Sequence, residues 1–312
     1  MHETRDDSVS LHGVRLPLTQ ARQGAPLGRS AQRYPVVLYQ PGFGDVRELG
    51  TGLVSDLASR GYVVVTMDDT YEAAEVEFPG GRVAVPRRPS GYADATRIAD
   101  TRFVLDELAA LESGVNPDAE QRPLPAGLTR ALDLTEIGMF GHSLGGATAA
   151  KAMAADARIG AGIDLDGSLF LTNPSLHLDP EKAGAVVGRH IGDRPFMIMS
   201  SHGFGPRNDP SWRGFCPNLR GWRLFLTMRN SQHYAYTDLE EFLTQLLAAG
   251  IIPRKLASLL VTQWIGTVNP ARAVAAERAY IGAFFDLHLR GRASKLLDHP
   301  SPGDPDIQFL GR

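Results

Sequence analysis

One serine in this sequence stands in a setting typical of a catalytic nucleophile. Ser143 is the central residue of Gly141-His-Ser-Leu-Gly145, which fits the pattern G-x-S-x-G. The apolar run 137–140 predicts a buried strand before it, and the small residues that follow predict a helix. A strand, a sharp turn and a helix in this order lift a serine hydroxyl above the edge of a sheet. With 33 glycines in 312 residues the pattern could be a glycine-rich loop, but its flanks favour a nucleophile.

A serine hydroxyl attacks a substrate only when a base accepts its proton and an acid orients that base. In enzymes with this turn the order along the chain is Ser, acid, His. Among nine histidines, His233 follows the last apolar strand in the loop 230–234, just before a predicted helix. A lone loop histidine is more often a surface residue, but its order and position favour His233 as the base.

The acid has two candidates on the residues alone. Asp166 ends the predicted strand directly after the elbow helix, and Asp209 follows the second strand beyond the serine, where the acid usually lies. Asp164 is two residues before Asp166 on the same strand face, and it would need a buried partner there. The residues alone do not decide whether Asp166 or Asp209 is the acid.

Backbone N–H groups are expected to hold the negative charge that develops on the substrate oxygen. One is that of Leu144, the residue after the nucleophile, and the other is that of Phe43 in the loop Pro41–Gly44, where glycines flank it. A tight turn without function is the alternative for this loop. The sequence has no H-x-H, H-E-x-x-H or paired cysteines, so neither a catalytic metal nor another cofactor is predicted.

Strands alternate with helices along the chain, which predicts an α/β fold with a doubly wound, mostly parallel sheet flanked by helices in one domain. Residues 1–33 are predicted to be an irregular arm before a domain spanning 34–312, with 168–194 as an insertion or lid. The segments 69–89 and 168–190 are predicted to be irregular. Strands are predicted at 34–39, 62–67, 137–140, 161–166, 195–200 and 222–227, and helices at 47–60, 94–111, 237–249, 254–264 and 270–290.

The composition is that of an ordinary globular protein, with 43% hydrophobic and 21% charged residues. A net charge of −3 gives no reason to expect nucleic acid as a partner, and no apolar run is long enough to span a membrane. The first residues lack the apolar core of a signal peptide, and Cys216 is the only cysteine. Both observations fit the cytoplasm, but also a secreted protein whose signal has been removed, so the compartment stays open.

Five stretches of the sequence together carry a resemblance to a known family: Tyr39–Gly44, Leu57–Val65, Gly141–Ala147, Ile163–Phe170 and His233–Leu239. They resemble the platelet-activating factor acetylhydrolase family, whose members are lipase-like α/β-hydrolases more distantly related to bacterial cutinases and triacylglycerol lipases. The resemblance implies the α/β-hydrolase fold and assigns the acid to Asp166 rather than Asp209. It also implies His233 as base and the Phe43 and Leu144 N–H groups as oxyanion donors. The family often has His where this chain has Pro41, a change without consequence for backbone donors.

The expected function is cofactor-independent hydrolysis of carboxylic esters through an acyl-enzyme. By resemblance, the substrates would be esters of short or oxidised acyl groups on phospholipids, or simpler lipid esters, with contact to a lipid surface as an option. Alternatives are an acyltransferase that uses the same acyl-enzyme, a cutinase- or lipase-type hydrolase of polyesters or triglycerides, and a binding protein without catalysis. Oligomeric state is not predicted. Four apolar residues are candidates for an acyl or alcohol pocket, with plain core as their alternative: Leu169, Phe170, Trp212 and Phe215.

Overall fold

The structure, a computed structural model, describes residues 21–28, 33–87, 94–170, 179–205, 208–252, 256 and 259–312. Its helices and strands alternate along most of the chain. In order they are β1 (Tyr34–Gln40), α1 (Thr51–Ser59), β2 (Val63–Thr66), β3 (Val76–Phe78), β4 (Arg82–Ala84), α2 (Asp94–Ser113), β5 (Leu132–His142), α3 (Leu144–Ala155), β6 (Ile159–Leu165), α4 (Pro180–Ile191), β7 (Phe196–Ser200), α5 (Pro210–Phe215), β8 (Arg223–Met228), α6 (Leu239–Ala248), α7 (Pro270–Arg290) and β9 (Ile307–Gly311).

Seven strands form the central sheet in the order β2-β1-β5-β6-β7-β8-β9. All neighbouring pairs are parallel except β8 with the C-terminal β9, which is antiparallel. The predicted α/β-hydrolase fold, a mostly parallel sheet with helices around it, is therefore confirmed. The carboxyl ends of β1, β5, β6, β7 and β8 lie along one edge, and chemistry in such sheets occurs at that edge.

The sheet is buried on both faces because its strands are continuously apolar. Successive residues of β1 point to opposite faces, so Val36 and Leu38 join one hydrophobic core while Val37 and Tyr39 join the other. The first core is shared with α2, α3, α4 and α5, and the second with α1, α6 and α7. These two cores hold the strand ends, and thus the site, in place.

Two segments that were predicted to be irregular contain regular structure. Pro180–Ile191 is a helix whose first turn is capped by Asp179, which accepts hydrogen bonds from the N–H groups of Glu181 and Lys182. Within 69–89, β3 and β4 form an antiparallel hairpin around the turn Pro79–Gly81. The prediction for 69–89 was wrong because its glycines and prolines were interpreted as breakers of regular structure, whereas Pro79–Gly81 forms the turn of a hairpin.

Several other predicted bounds differ at the ends. The predicted helix 47–60 begins as a 3-10 turn, Arg47–Gly50, before α1. Val261–Ile265 at the end of the predicted helix 254–264 is a short π-helix, and 253–255 and 257–258 lie outside the described residues. Residues 21–28 of the predicted arm contain neither helix nor strand. Residues 1–20 and 29–32, and 171–178 of the predicted insertion, are also outside the described part, so the arm and the insertion stay predictions.

Candidate active site

Ser143 lies in the turn between β5 and α3 with a φ of 55° and a ψ of −123°. A positive φ is costly for a residue with a side chain, and such strain is characteristic of functional turns. The Ser143 N–H donates to the carbonyl of Leu165 at the end of β6, 2.8 Å away, which fixes the turn to the neighbouring strand. The serine therefore stands at the carboxyl edge of the sheet, as the G-x-S-x-G pattern predicts.

Glycine is required on both sides of the serine because main chains meet there. A Cβ atom on Gly145 would lie 2.0 Å from the carbonyl oxygen of Gln40, and one on Gly141 would lie 2.4 Å from that same oxygen. The backbone of Gln40 cannot move aside, since it belongs to the central strand β1. The two glycines let α3 begin directly against the end of β1.

His233 follows β8 in a 3-10 turn, and its ring reaches both other predicted residues. Its Nε2 lies 2.9 Å from Ser143 Oγ, and its Nδ1 lies 2.6 Å from Asp166 Oδ2. A carboxylate only accepts hydrogen bonds, so the ring carries its proton on Nδ1 and offers Nε2 as the acceptor for the serine hydroxyl. This is the tautomer that a general base needs.

Asp166 follows the last residue of β6 and has a φ of 57°, a conformation that aspartate tolerates better than most residues. It is buried, and its Oδ1 accepts a hydrogen bond of 2.6 Å from the N–H of Ser201. Its own N–H donates to the carbonyl of Met199. With both carboxylate oxygens bonded, Asp166 presents a fixed, buried negative charge to His233.

The other two aspartates have different surroundings. Asp209 caps α5 by accepting from the N–H groups of Ser211 and Trp212, so its role is in helix structure. Asp164 is fully buried, and its Oδ1 accepts from the N–H of Gly167 at 2.7 Å. Burial raises the pKa of Asp164 well above its usual value, reinforced by the charges of Asp166 and Asp209. The structure thus brings Asp166, and not Asp209, to His233.

His142 supports the base, a contact that sequence reasoning did not identify. Its ring is buried, and Nε2 donates to the carbonyl of His233 at 2.8 Å, with the two ring centroids 4.5 Å apart. Its Nδ1 faces Asp45 Oδ2 at 3.7 Å. The only signal in the sequence was a histidine inside the elbow, at a position unsuited to a base for Ser143.

The two predicted oxyanion donors lie beside the nucleophile. Leu144 is the first residue of α3, so its N–H has no acceptor within the helix. The loop Pro41–Gly44 approaches from β1, and a Cβ on Gly42 would lie 3.2 Å from the Cβ of Ser143. The loop therefore lies against the serine at Gly42, the residue before Phe43, and the donor role of the Phe43 N–H stays a prediction.

Three of the four predicted pocket residues belong to the core. Leu169, Trp212 and Phe215 are at most 1% exposed. Trp212 packs on the ring of Phe204, and Phe215 packs on the ring of Phe196 in β7. Their burial agrees with the alternative interpretation of these aromatics as core. Phe170 is partly exposed and adjoins 171–178, so its pocket role stays a prediction.

Aromatic side chains other than the four predicted pocket residues are exposed beside the site. The ring of Tyr234 is 5.5 Å from that of His233 and 5.6 Å from that of Trp264, measured between centroids. Trp264 is 41% exposed and Phe43 is 53% exposed. Trp264 belongs to a segment that pairs with the histidine loop, since the N–H of Gln232 donates to the carbonyl of Ile265. A substrate that approaches Ser143 therefore has an aromatic surface close by.

Over the described part of the chain, no three or more histidine, cysteine or acidic side chains are grouped so that they could hold a metal ion. In the same part of the chain, no helix has the length and apolar character needed to cross a bilayer. The side chains of Ser143, His233 and Asp166 are joined by hydrogen-bonding distances in the order that acyl transfer by a serine would require.

Comparison with known proteins agrees with this geometry. Residues 10–78 match the family described as platelet-activating factor acetylhydrolase, isoform II. A ferulic acid esterase from Streptomyces cinnamoneus has 35% sequence identity and a TM-score of 0.69, with 90% of this chain and 75% of that one covered. This chain belongs to the same esterase family as that enzyme, and it resembles the platelet-activating factor acetylhydrolases. The proteins that it resembles carry the names of carboxylic ester hydrolases.

Two curated relatives carry such names. A probable 1-alkyl-2-acetylglycerophosphocholine esterase of Arthroderma benhamiae is 27% identical over 88% of this chain and 66% of its own length. The platelet-activating factor acetylhydrolase of Cavia porcellus is 24% identical over 70% of this chain and 51% of its own length. The chain thus spans slightly less than two thirds of the fungal relative and about half of the mammalian one.

Proposed function

We propose that this protein is a serine hydrolase of carboxylic esters. The observation that carries the proposal is the contact of His233 with both Ser143 and Asp166, at 2.9 Å and 2.6 Å. His233 accepts the serine proton as Oγ attacks the ester carbonyl, and the new oxyanion is bound by the N–H groups of Leu144 and Phe43. His233 then protonates the departing alcohol, and an acyl-enzyme remains.

Water completes the reaction. His233 deprotonates a water molecule that attacks the acyl carbonyl, and the proton passes to Ser143 Oγ as the acid is released. Asp166 keeps Nδ1 protonated throughout and stabilises the imidazolium that forms twice in each cycle. The buried N–H of Ser201 and the ring of His142 hold the two partners in position.

The names of the relatives support short-acyl esters as substrates, in particular a 2-acetyl ester on a phospholipid-like alcohol. A second candidate is an ester of an aromatic acid. It is favoured by the exposed Phe43 and Trp264 beside the site, together with the likeness to a ferulic acid esterase. Aromatic rings stack on flat acyl groups, with a gain beyond the area that they bury.

The test combines labelling with turnover. We expect a fluorophosphonate to add one adduct by intact mass, mapped to Ser143, and Ser143→Ala to lose both the adduct and at least about 10⁴-fold in kcat. Ser113→Ala, an exposed serine at the end of α2, is the matched control and should keep both. Retained turnover in Ser143→Ala, or an adduct elsewhere, would overturn the proposal.

Substrate panels separate the rival activities. p-Nitrophenyl esters of increasing acyl length, with a feruloyl ester beside them, distinguish the short-acyl from the aromatic candidate by kcat/KM. Labelling of Ser143 without hydrolysis, but with transfer to an added alcohol, would indicate an acyltransferase. Preference for insoluble polyester or triglyceride would indicate the cutinase or lipase type. If the protein showed neither labelling nor turnover, only a binding role would remain.

A further inference from the structure

Arg97 is an arginine of α2 that lies buried beneath the loop Pro41–Gly44. Its side chain is 1% exposed. Nη1 donates to the carbonyl of Pro41 at 3.1 Å, and Nη2 donates to the carbonyl of Gly42 at 3.3 Å. No motif in the sequence marks this residue, and the reaction described above does not yet use it.

The charge of Arg97 is balanced by two acids on the neighbouring segment after β2. Asp69 Oδ2 lies 3.0 Å from Nη2, and Glu72 accepts hydrogen bonds from Nη2 and Nε. Asp69 is fixed in turn by the side-chain amide of Gln40, 2.8 Å away. Burying the guanidinium costs desolvation free energy, and moving it away from its partners would cost more because its charge would then be buried and unpaired. The guanidinium is therefore held in one position.

The two carbonyls that Arg97 binds belong to the peptide groups that carry the N–H of Gly42 and the N–H of Phe43. These peptides are trans. In a trans peptide the carbonyl and the N–H point in opposite directions. With its carbonyl held on Arg97, the Gly42–Phe43 peptide turns the Phe43 N–H to the other side of the loop. The N–H of Asp45 also donates to the Gly42 carbonyl, at 3.3 Å, which adds to the same restraint.

We propose that Arg97 is the positioning residue of the oxyanion hole, aiming the Phe43 N–H at the reacting carbonyl by holding the Gly42 carbonyl from behind. The inference rests on the proposed function, because it concerns the oxyanion of that reaction. An oxyanion donor is effective only when its direction is fixed before the charge develops. The N–H of Leu144 is fixed by the helix that it begins, whereas Phe43 is an exposed residue between two glycines, and the buried guanidinium of Arg97 fixes the peptide before it.

The test is Arg97→Met, which retains much of the apolar stem and removes the donors. We expect kcat, per site titrated with a fluorophosphonate, to fall about 100-fold, the cost of one oxyanion donor. KM should change little, because the ground-state ester does not depend on this N–H. Affinity for a trifluoromethyl ketone, which forms a tetrahedral oxyanion on Ser143, should weaken by the same factor as kcat.

Arg102→Met is the matched control, since Arg102 is an exposed arginine of the same helix that donates to the carbonyl of Ala155. It should keep wild-type kcat and ketone affinity. A purely structural role for Arg97 would reduce the number of titrated sites and the melting temperature, while each surviving site kept its kcat and its ketone affinity. That result would overturn the proposal, as would a loss of kcat without a loss of ketone affinity.

Arg97→Lys covers the case in which Arg97→Met does not fold. A lysine keeps the charge against Asp69 and Glu72 but lacks the fork that binds two carbonyls at once. We expect kcat per titrated site to fall roughly tenfold, the worth of one charge-assisted hydrogen bond. A lysine variant with wild-type kcat and ketone affinity would overturn the proposal. Because wild-type labelling at Ser143 is measured separately, failure here is distinguishable from failure of the ester hydrolase itself.

Discussion

Asp166 reaches His233 because its backbone leaves the strand. A residue that continued β6 would direct its side chain to a sheet face, but the φ of 57° turns Asp166 toward the loop after β8. Its carboxylate is then held by the N–H of Ser201, so its direction does not depend on the histidine. An acid that is oriented independently can select one tautomer of the base, which is its main contribution to this chemistry.

The assignment of the acid predicts contrasting effects of two conservative changes. Asp166→Asn should lower kcat by about 10³ to 10⁴-fold, because an amide can donate to Nδ1 and so favours the wrong tautomer of His233. Asp209→Asn should leave kcat close to the wild-type value, since asparagine caps a helix as well as aspartate does. Turnover of p-nitrophenyl acetate and the melting temperature of each variant provide the measurement.

The opposite pattern would place the acid at Asp209 and contradict the geometry of the site. The residues alone could not decide between the two aspartates, because both follow strands that end at the same edge of the sheet. Resemblance to a family selected Asp166, and the structure puts its Oδ2 2.6 Å from His233. His142 and Arg97 were missed because both act on backbone carbonyls, and such contacts leave no pattern in a sequence.

At the scale of elements, close contacts between main chains decide the architecture around the serine. β1, β5 and α3 meet at Gln40, Gly141 and Gly145, with no side chain between them. The loop Pro41–Gly44 begins at the residue after Gln40. Any side chain added at this junction therefore moves the loop relative to Ser143, and it affects stability and catalysis together.

Gly145→Ala tests this junction. Its Cβ would meet backbone rather than a side chain that can yield, so we expect a loss of about 1–3 kcal/mol in the free energy of unfolding. We also expect a lower kcat in the molecules that remain folded, because the loop Pro41–Gly44 is displaced. Gly160→Ala in β6 is the control, since its Cβ would make an ordinary contact of 3.5 Å with the carbonyl of Ile137. Urea unfolding and kcat of both variants check the prediction, and equal effects would contradict it.

Elements with a strong apolar run could be predicted from the sequence, and those built on glycine packing could not. The six predicted strands of the sheet and α2 and α7 are found with changes of one or two residues at their ends, except that β5 begins five residues before the predicted strand 137–140 and ends two residues after it. α4 was not predicted, and it contains two glycines, Gly184 and Gly188, that a helix pattern does not call for. In the structure these glycines let α5 approach, since a Cβ on Gly184 would lie 1.9 Å from the carbonyl oxygen of Ser211. Only the partner helix explains them, and a sequence pattern does not contain the partner.

The edge strand β9 shows the same limit. Ile307–Gly311 pairs antiparallel with β8, more than 75 residues along the chain from it. Its alternating burial matches a strand, but five residues near the end of a chain carry too little pattern to be assigned. Long-range pairing is what makes this segment a strand.

At the scale of the whole molecule, one layer of helices carries acids that the reaction does not use. Glu240 in α6 and Glu277 in α7 are buried in the layer behind the histidine loop. Within the described residues, both oxygens of Glu240 and one of Glu277 have no hydrogen-bond partner. Burial raises the pKa of each, reinforced by Glu241 for Glu240, and by Glu240 and Asp238 for Glu277, where Arg278 opposes it. Each group therefore retains its proton to a higher pH in the folded protein than in the unfolded chain, Glu240 with a pKa of about 9.

This burial predicts how stability changes with pH. The unfolded chain releases these protons near the ordinary glutamate pKa of 4.5, whereas the folded chain retains them. Above that pH the unfolded state binds fewer protons than the native state, so the free energy of unfolding falls as pH rises. The double variant Glu240→Gln, Glu277→Gln should flatten this decline, since neither side chain can ionise.

Melting temperatures of the wild type, the double variant and the exposed control Glu77→Gln, measured from pH 5 to pH 9, test the prediction. Each kcal/mol removed from the pH-dependent cost shifts the melting temperature by roughly 2 °C in a chain of this size. The control should follow the wild-type curve, and parallel curves for all three proteins would contradict the assignment.

Because α6 follows the histidine loop directly, alkaline loss of activity should follow the melting curve in the wild type and be delayed in the double variant. Initial rates taken before unfolding would then report the chemistry of Ser143 and His233 alone.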